Sequence, residues 1–148
     1  MNKSSHLRID MKLLNIISNY VYPSIRKKLV EILYYEKKFK QKEIARKLYI
    51  TQSAVSRYIR GSRGRYLDIT KATETMKELK ELAEIIAKSD LEPEELEYRL
   101  ATIVFKAMGR GEICQFHSQI ENIDPKTCTL CRELFGSYLL GLEERNKN

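Results

Sequence analysis

The spacing of apolar residues between Gln41 and Gly61 constrains this chain more than any other feature. In QKEIARKLYITQSAVSRYIRG, Ile44, Ala45 and Leu48 recur at the intervals that bring residues onto one face of a helix. Val55 and Tyr58 do the same in a second short segment, and Ile50 lies between, where a turn residue would plug a small core. Ala45 is small where two steeply crossing helices leave no room for a longer side chain. Thr51 stands at the N-cap position of the second segment and Gly61 at its C-terminal stop. The pattern predicts two short helices joined by a tight turn.

The polar residues of the same stretch suggest a use for it. Gln41 opens the first helix, and Gln52 and Ser53 open the second. In a helix-turn-helix the start of the second helix meets base edges in the major groove of DNA, where a Gln can pair bidentately with adenine. The stretch closely resembles the lambda-repressor-like (Cro/CI, XRE) family of DNA-binding domains, whose members often carry Gln at both helix starts. With VYPSIRKKLVEIL ahead of it, it is also similar to archaeal regulators of that superfamily and to the N-terminal module of some archaeal thiamine-biosynthesis proteins, although no long catalytic domain follows here. The resemblance implies a sequence-specific transcriptional regulator. Gln52, Ser53, Ser56 and Arg57 are then candidates for base readout, and Gln41, Thr51, Arg60 and Arg63 for phosphate contacts. The departure is Tyr49, where the family usually has Gly because the turn needs a positive φ. A Tyr there costs about 1 kcal/mol relative to Gly, so a slightly altered turn is expected.

Charge is divided to match. Residues 1–65 hold 16 Lys and Arg against 4 Asp and Glu, a net +12; residues 66–148 hold 11 against 16, a net −5, giving the overall +7. The basic part contains the two-helix stretch, as a polyanion-binding head would. A membrane-surface role fits less well, because the lysines of 37–47 do not lie on a long amphipathic helix. No apolar run approaches the ~20 residues of a membrane span, and the N-terminal segment has neither the apolar stretch nor the cleavage site of a signal peptide. A cytoplasmic protein is expected.

The remainder reads as helix. Residues 10–20 suggest a short helix capped by Asp10. A second, starting at Tyr22-Pro23, would bury Ile25, Leu29, Ile32 and Leu33. Arg26, Lys27 and Lys28 form its polar side, more a solvated face than a phosphate contact. Further on, Ile69, Ala72, Met76, Leu79, Ala83 and Ile86 alternate spacings of three and four over about two and a half heptads. Such a seam suits either a helix lying over the core or a dimer contact, and its two alanines favour the dimer. Leu96, Leu100, Ile103, Val104 and Met108 form the stripe of the next helix, stopped by Gly109 and Gly111. Leu134, Phe135, Tyr138, Leu139 and Leu142 line the last one, ahead of a tail expected to fray. The one segment that hints at a strand is 112–116.

Between those last helices lie all three cysteines and one of the two histidines: Cys114, His117, Cys128 and Cys131. An odd cysteine count argues against a disulfide framework. C-x2-H followed by C-x2-C supplies two chelating pairs, each able to converge from a tight turn on a tetrahedral ion. Three thiolates and an imidazole suit Zn2+, and an iron–sulfur cluster is the alternative. Four ligands fill a tetrahedral shell and leave no open catalytic position. There is no glycine-rich phosphate loop either, so no enzyme is expected.

These readings combine into an all-α chain. Residues 1–66 form a helix-turn-helix DNA-binding domain, and residues 67–148 form a helical dimerisation region with the metal site at 114–131. A homodimer of this kind binds a pseudo-palindromic operator in double-stranded DNA. Two other roles compete: a basal or bridging factor, as in multiprotein-bridging factors (where the metal ribbon comes first), and an antitoxin whose acidic tail grips a protein partner.

Overall fold

The computed structural model describes residues 12–61, 66–121 and 129–147, and every regular element among them is helical. The chain enters as one continuous helical path and not as two separate helices. Helix α1 (Lys12–Ile16) passes through a π-helical turn (Ile17–Val21) into α2 (Tyr22–Glu31), which ends in a second π-turn (Ile32–Glu36). Ile16, Val21, Glu31 and Ile32 keep right-handed helical angles at the junctions. Pro23 explains the first π-turn. It has no N–H to donate and its ring crowds the preceding turn, so the helix widens just ahead of it instead of breaking. Asp10, the expected cap, lies outside the described residues. Lys38, at φ 62°, ends the path, and Phe39 N–H bonds back to Leu33 O at 3.0 Å.

Two short helices follow, α3 (Gln41–Leu48) and α4 (Gln52–Arg60), then a 3-10 turn (Ile69–Lys71) whose Thr70 amide donates to Asp68. The longer helices are α5 (Thr73–Lys88), α6 (Pro93–Gly109) and α8 (Leu130–Lys147), with the short α7 (Cys114–Glu121) before the last. Residues 114–116 open α7, so the strand suggested over 112–116 is absent. Gly111, at φ 75°, turns the chain there and α7 starts within three residues. The helix α8 runs to Lys147, past the point where fraying was expected.

Helix α2 is the centre of the packing, touching α4, α5 and α6. Ile25, Leu29 and Val30 are completely buried on it, as is Leu33 in the π-turn that follows. One apolar cluster continues from them through Ile44 and Val55 into Leu79, Ile86, Leu100 and Met108, running across residue 66 without interruption. The heptad-like seam is spent inside the chain: Ile69, Ala72, Leu79, Ala83 and Ile86 are buried, and Met76 packs against the same core. Because α5 lies against α2 and α6, that face is not available to a second copy.

Helix α8 closes on α6. Phe135 stacks on Phe105 (centroids 5.3 Å apart, planes at 17°) and Tyr138 meets the same ring edge-on at 5.9 Å. Leu134, expected on the inward face, is 54% exposed. The helix is turned so that Cys131, Phe135 and Tyr138 face inward, which leaves Leu134 to one side. The side chain of Leu142 lies outside the described set. A Cβ on Gly109 would stand 2.8 Å from Leu139 Cδ1 and 3.0 Å from Phe135 O, so the bare glycine is what permits the approach.

Ion pairs then join the basic and acidic parts. Lys37 pairs with Glu84, and Arg46 and Lys47 each reach Asp90 at 2.9 Å. Lys47 is buried, and its Nζ also donates to Ile86 O at 2.9 Å, satisfying a carbonyl in the last turn of α5. Farther along, Arg110 binds Glu78 at 2.5 Å and Thr75 Oγ1 at 3.1 Å, and pairs with Glu112, pinning the end of α6 to α5.

Gly109→Ala should lower stability by about 1–3 kcal/mol through overpacking. Gly136→Ala, where an added Cβ meets nothing within 4 Å, should instead raise it by about 0.5–1 kcal/mol; urea unfolding measures both. Hydrogen bonds from Lys47 and then Arg46 hold the Asp90 carboxyl below its ordinary range. Its folded value is depressed, so its contribution is present above the unfolded carboxylate range, about 4, and is lost as pH falls through the folded value. Asp90→Asn should flatten that part of the acid dependence in urea titrations between neutral pH and about 3.

Candidate nucleic-acid interface

The turn between α3 and α4 is built by its backbone. Tyr49 adopts the left-handed conformation (φ 56°, ψ 38°) normally left to glycine. Its N–H bonds to Arg46 O at 3.4 Å and that of Ile50 to Ala45 O at 3.1 Å, the paired bonds of a Schellman stop. The turn is therefore not altered by the tyrosine. The phenol helps hold it instead, since Tyr49 Oη donates to Leu91 O at 2.6 Å and ties the turn to the start of α6. Sequence spacing alone could not show this partner, forty-two residues away.

The next helix starts on a side-chain cap, with Thr51 Oγ1 accepting from Ala54 N–H at 3.0 Å, and stops at Gly61 (φ 64°). Val55 is fully buried, while Ile44, Ala45 and Leu48 bury the facing side of α3. Ile50, Tyr58 and Ile59 pack against the same core. With that face committed to the core, the opposite face of α4 is left to solvent.

That opposite face is where the expected contact residues meet. Gln41, Gln52, Ser53, Ser56, Arg57 and Arg60 line a single open groove of about 470 Å³. Gln41 comes from the first turn of α3 and the others from one side of α4. Thr51 is exposed beside them, its oxygen used as an acceptor in the cap and its hydroxyl proton left to donate. Arg63 lies outside the described residues. Among the described residues, Arg57 and Arg60 enter no ion pair, in contrast to Arg46 and Lys47.

Other basic residues are placed differently from what a charge count suggests. Lys27 and Lys28 pair with Glu31 on their own helix. Burial would raise the Glu31 carboxyl, but hydrogen bonds from both lysines outweigh it and hold the group below its usual value. Arg26 lies over the rings of Tyr22 (5.4 Å) and Tyr58 (5.9 Å), so it bridges α2 to α4. By sequence alone Arg26 belongs to a polar run with Lys27 and Lys28 that suits a solvated face. The aromatic residues at 22 and 58 were the available signal, but their proximity is tertiary.

The expected metal ligands fall on two helices. Cys114 and His117 are three apart on α7, so they share a side of a helix and do not converge from a tight turn. Cys131 sits in the first turn of α8. His117 and Cys131 are buried and Cys114 half-buried. Cys128 lies outside the described residues, and among the described ones no three potential ligands come together around a metal-sized site.

Tyr49→Phe should cost about 0.5–1.5 kcal/mol, the net worth of one hydrogen bond. Thr51→Ala should cost about 1 kcal/mol through loss of the cap. Denaturant midpoints check both, and a neutral Tyr49→Phe would remove the phenol from its role in the turn. Compared with protein-family models, curated proteins and solved structures, the chain matches none.

Proposed function

We propose that this chain is a sequence-specific regulator of transcription that binds double-stranded DNA through α3 and α4. In this reading the two are a lambda-repressor-like helix-turn-helix and α4 enters the major groove. The observation that carries the proposal is the groove on α4, where two glutamines, two serines and two arginines gather on the face opposite the buried Val55. Amide and guanidinium groups are the side chains that pair bidentately with adenine and guanine edges. Gln52, Ser53, Ser56 and Arg57 read bases; Gln41, Thr51, Arg60 and Arg63 hold phosphates. The protein acts as a dimer on a pseudo-palindromic operator. With the α5 seam buried, the second copy meets another face, and Leu130, Leu134 and Leu140 stand exposed on α8 for that contact.

The tail carries a metal centre in the same proposal, held by Cys114, His117, Cys128 and Cys131. Supporting it, His117 and Cys131 are removed from water, and a helical x2 spacing of ligands is known from other metal-binding helices. Three thiolates and an imidazole favour Zn2+, with an iron–sulfur cluster as the alternative.

Selection from random DNA should return a motif, and failure to do so would sink the regulator reading. Arg57→Ala should relax specificity at one base pair by about 1–3 kcal/mol. Arg60→Ala should weaken all sequences alike and lower the salt slope by about one. Equal losses on random DNA would refute this division of roles. Protein purified without air should hold one zinc per chain and no colour, whereas iron, sulfide and a brown spectrum would select the cluster. Neither metal would remove the centre.

A further inference from the structure

A second cleft, of about 200 Å³, opens between α2, the Tyr49 turn and the start of α6. Its floor is aliphatic, with Leu48, Leu96 and Leu100 all buried. The Tyr49 ring forms part of its wall and is fixed there by the bond to Leu91 O. Two charges of opposite sign line it, Arg26 from α2 and Glu97 from α6. Among the described residues these two form no ion pair with each other or with any other group. Arg26 is positioned by the faces of two tyrosine rings, which leaves its N–H donors open to an acceptor. Burial raises the Tyr22 phenol above its ordinary value, with Arg26 opposing the shift and Glu97 adding to it.

We infer that this cleft binds a small zwitterion with an apolar side chain, that is, an aliphatic or aromatic α-amino acid. The ligand's carboxylate meets Arg26, its ammonium meets Glu97, and its side chain covers Leu48, Leu96 and Leu100. A cleft bearing only the arginine would suit a fatty acid, and one bearing only the glutamate an amine; both together select a molecule that carries both charges. The volume lies below the roughly 300–1,000 Å³ of sites for drug-sized ligands, which limits the occupant to a small metabolite. Because Tyr49 belongs to the turn that sets α4, the cleft is placed where an effector would act. The binding itself does not depend on the DNA-binding reading and is tested without DNA.

The test is calorimetric titration of the full chain with leucine and with phenylalanine, alongside isocaproate, which lacks the ammonium, and isoamylamine, which lacks the carboxylate. We expect saturable binding of at least one amino acid with Kd about 1 mM or tighter and each analogue about tenfold weaker. Glu97 is exposed, so Glu97→Gln should fold normally. It should weaken the amino acid about tenfold while leaving isocaproate unchanged. No saturation by either amino acid would overturn the proposal. So would analogues that bind as well as the amino acid, or an amino acid that binds Glu97→Gln unchanged, since the ligand would then not be held between these two charges.

Discussion

The structure depends on the burial of one helix. Ile25, Leu29 and Val30 of α2 are removed from water on more than one side, because α4, α5 and α6 all pack on it. Each such side chain contributes about 1.5–3 kcal/mol of transfer free energy. The helices α4, α5 and α6 that meet α2 lie apart from it in sequence, and α3 and α4 pack on each other within the same core. Their apolar faces join the cluster that α2 organises and that α5 and α6 complete. The exposed face of α4 is therefore aimed by residues far from it in sequence.

Charge follows the same logic. A census by halves shows a basic head and an acidic tail, as expected for a protein that meets a polyanion. Much of that positive charge is nevertheless engaged within the molecule. Lys37, Arg46 and Lys47 reach across to Glu84 and Asp90, and Lys27 and Lys28 neutralise Glu31. Lys47 is the clearest case, since it is buried and serves a helix-end carbonyl, a carboxylate and the Phe39 ring at 5.4 Å. Arg57 and Arg60 stay outside these pairs and line the groove on α4. Charges of the same sign in one stretch thus divide into those that hold the fold and those that line an open groove.

Tyr49 shows how a local cost is met by a distant gain. Its left-handed angles disfavour any residue with a Cβ by about 1 kcal/mol relative to glycine. Its hydroxyl recovers a similar amount by reaching Leu91 O. The same ring forms a wall of the cleft beside Arg26 and Glu97, which a glycine would leave open. One side chain therefore closes the turn, couples it to α6 and shapes the cavity.

Local patterning by itself determined the helices other than α7, the Thr51 cap, the Gly61 and Gly111 stops and the buried stripes of α2 and α6. Each of these follows from spacing, a cap or a positive φ within a few residues. The same information placed Gln41, Gln52, Ser53, Ser56, Arg57 and Arg60 on one side, because helical periodicity fixes which residues share a face. Tertiary structure alone decided what each apolar face meets. The α5 seam has the spacing of a dimer contact but is covered by its own chain, and Leu134 lies on the amphipathic side of α8 yet outside its contact with α6. Periodicity reports that a stripe will be buried without naming the partner. The partner is set by which surfaces reach one another once α2 is enclosed, and that also decided the roles of Lys47 and Tyr49.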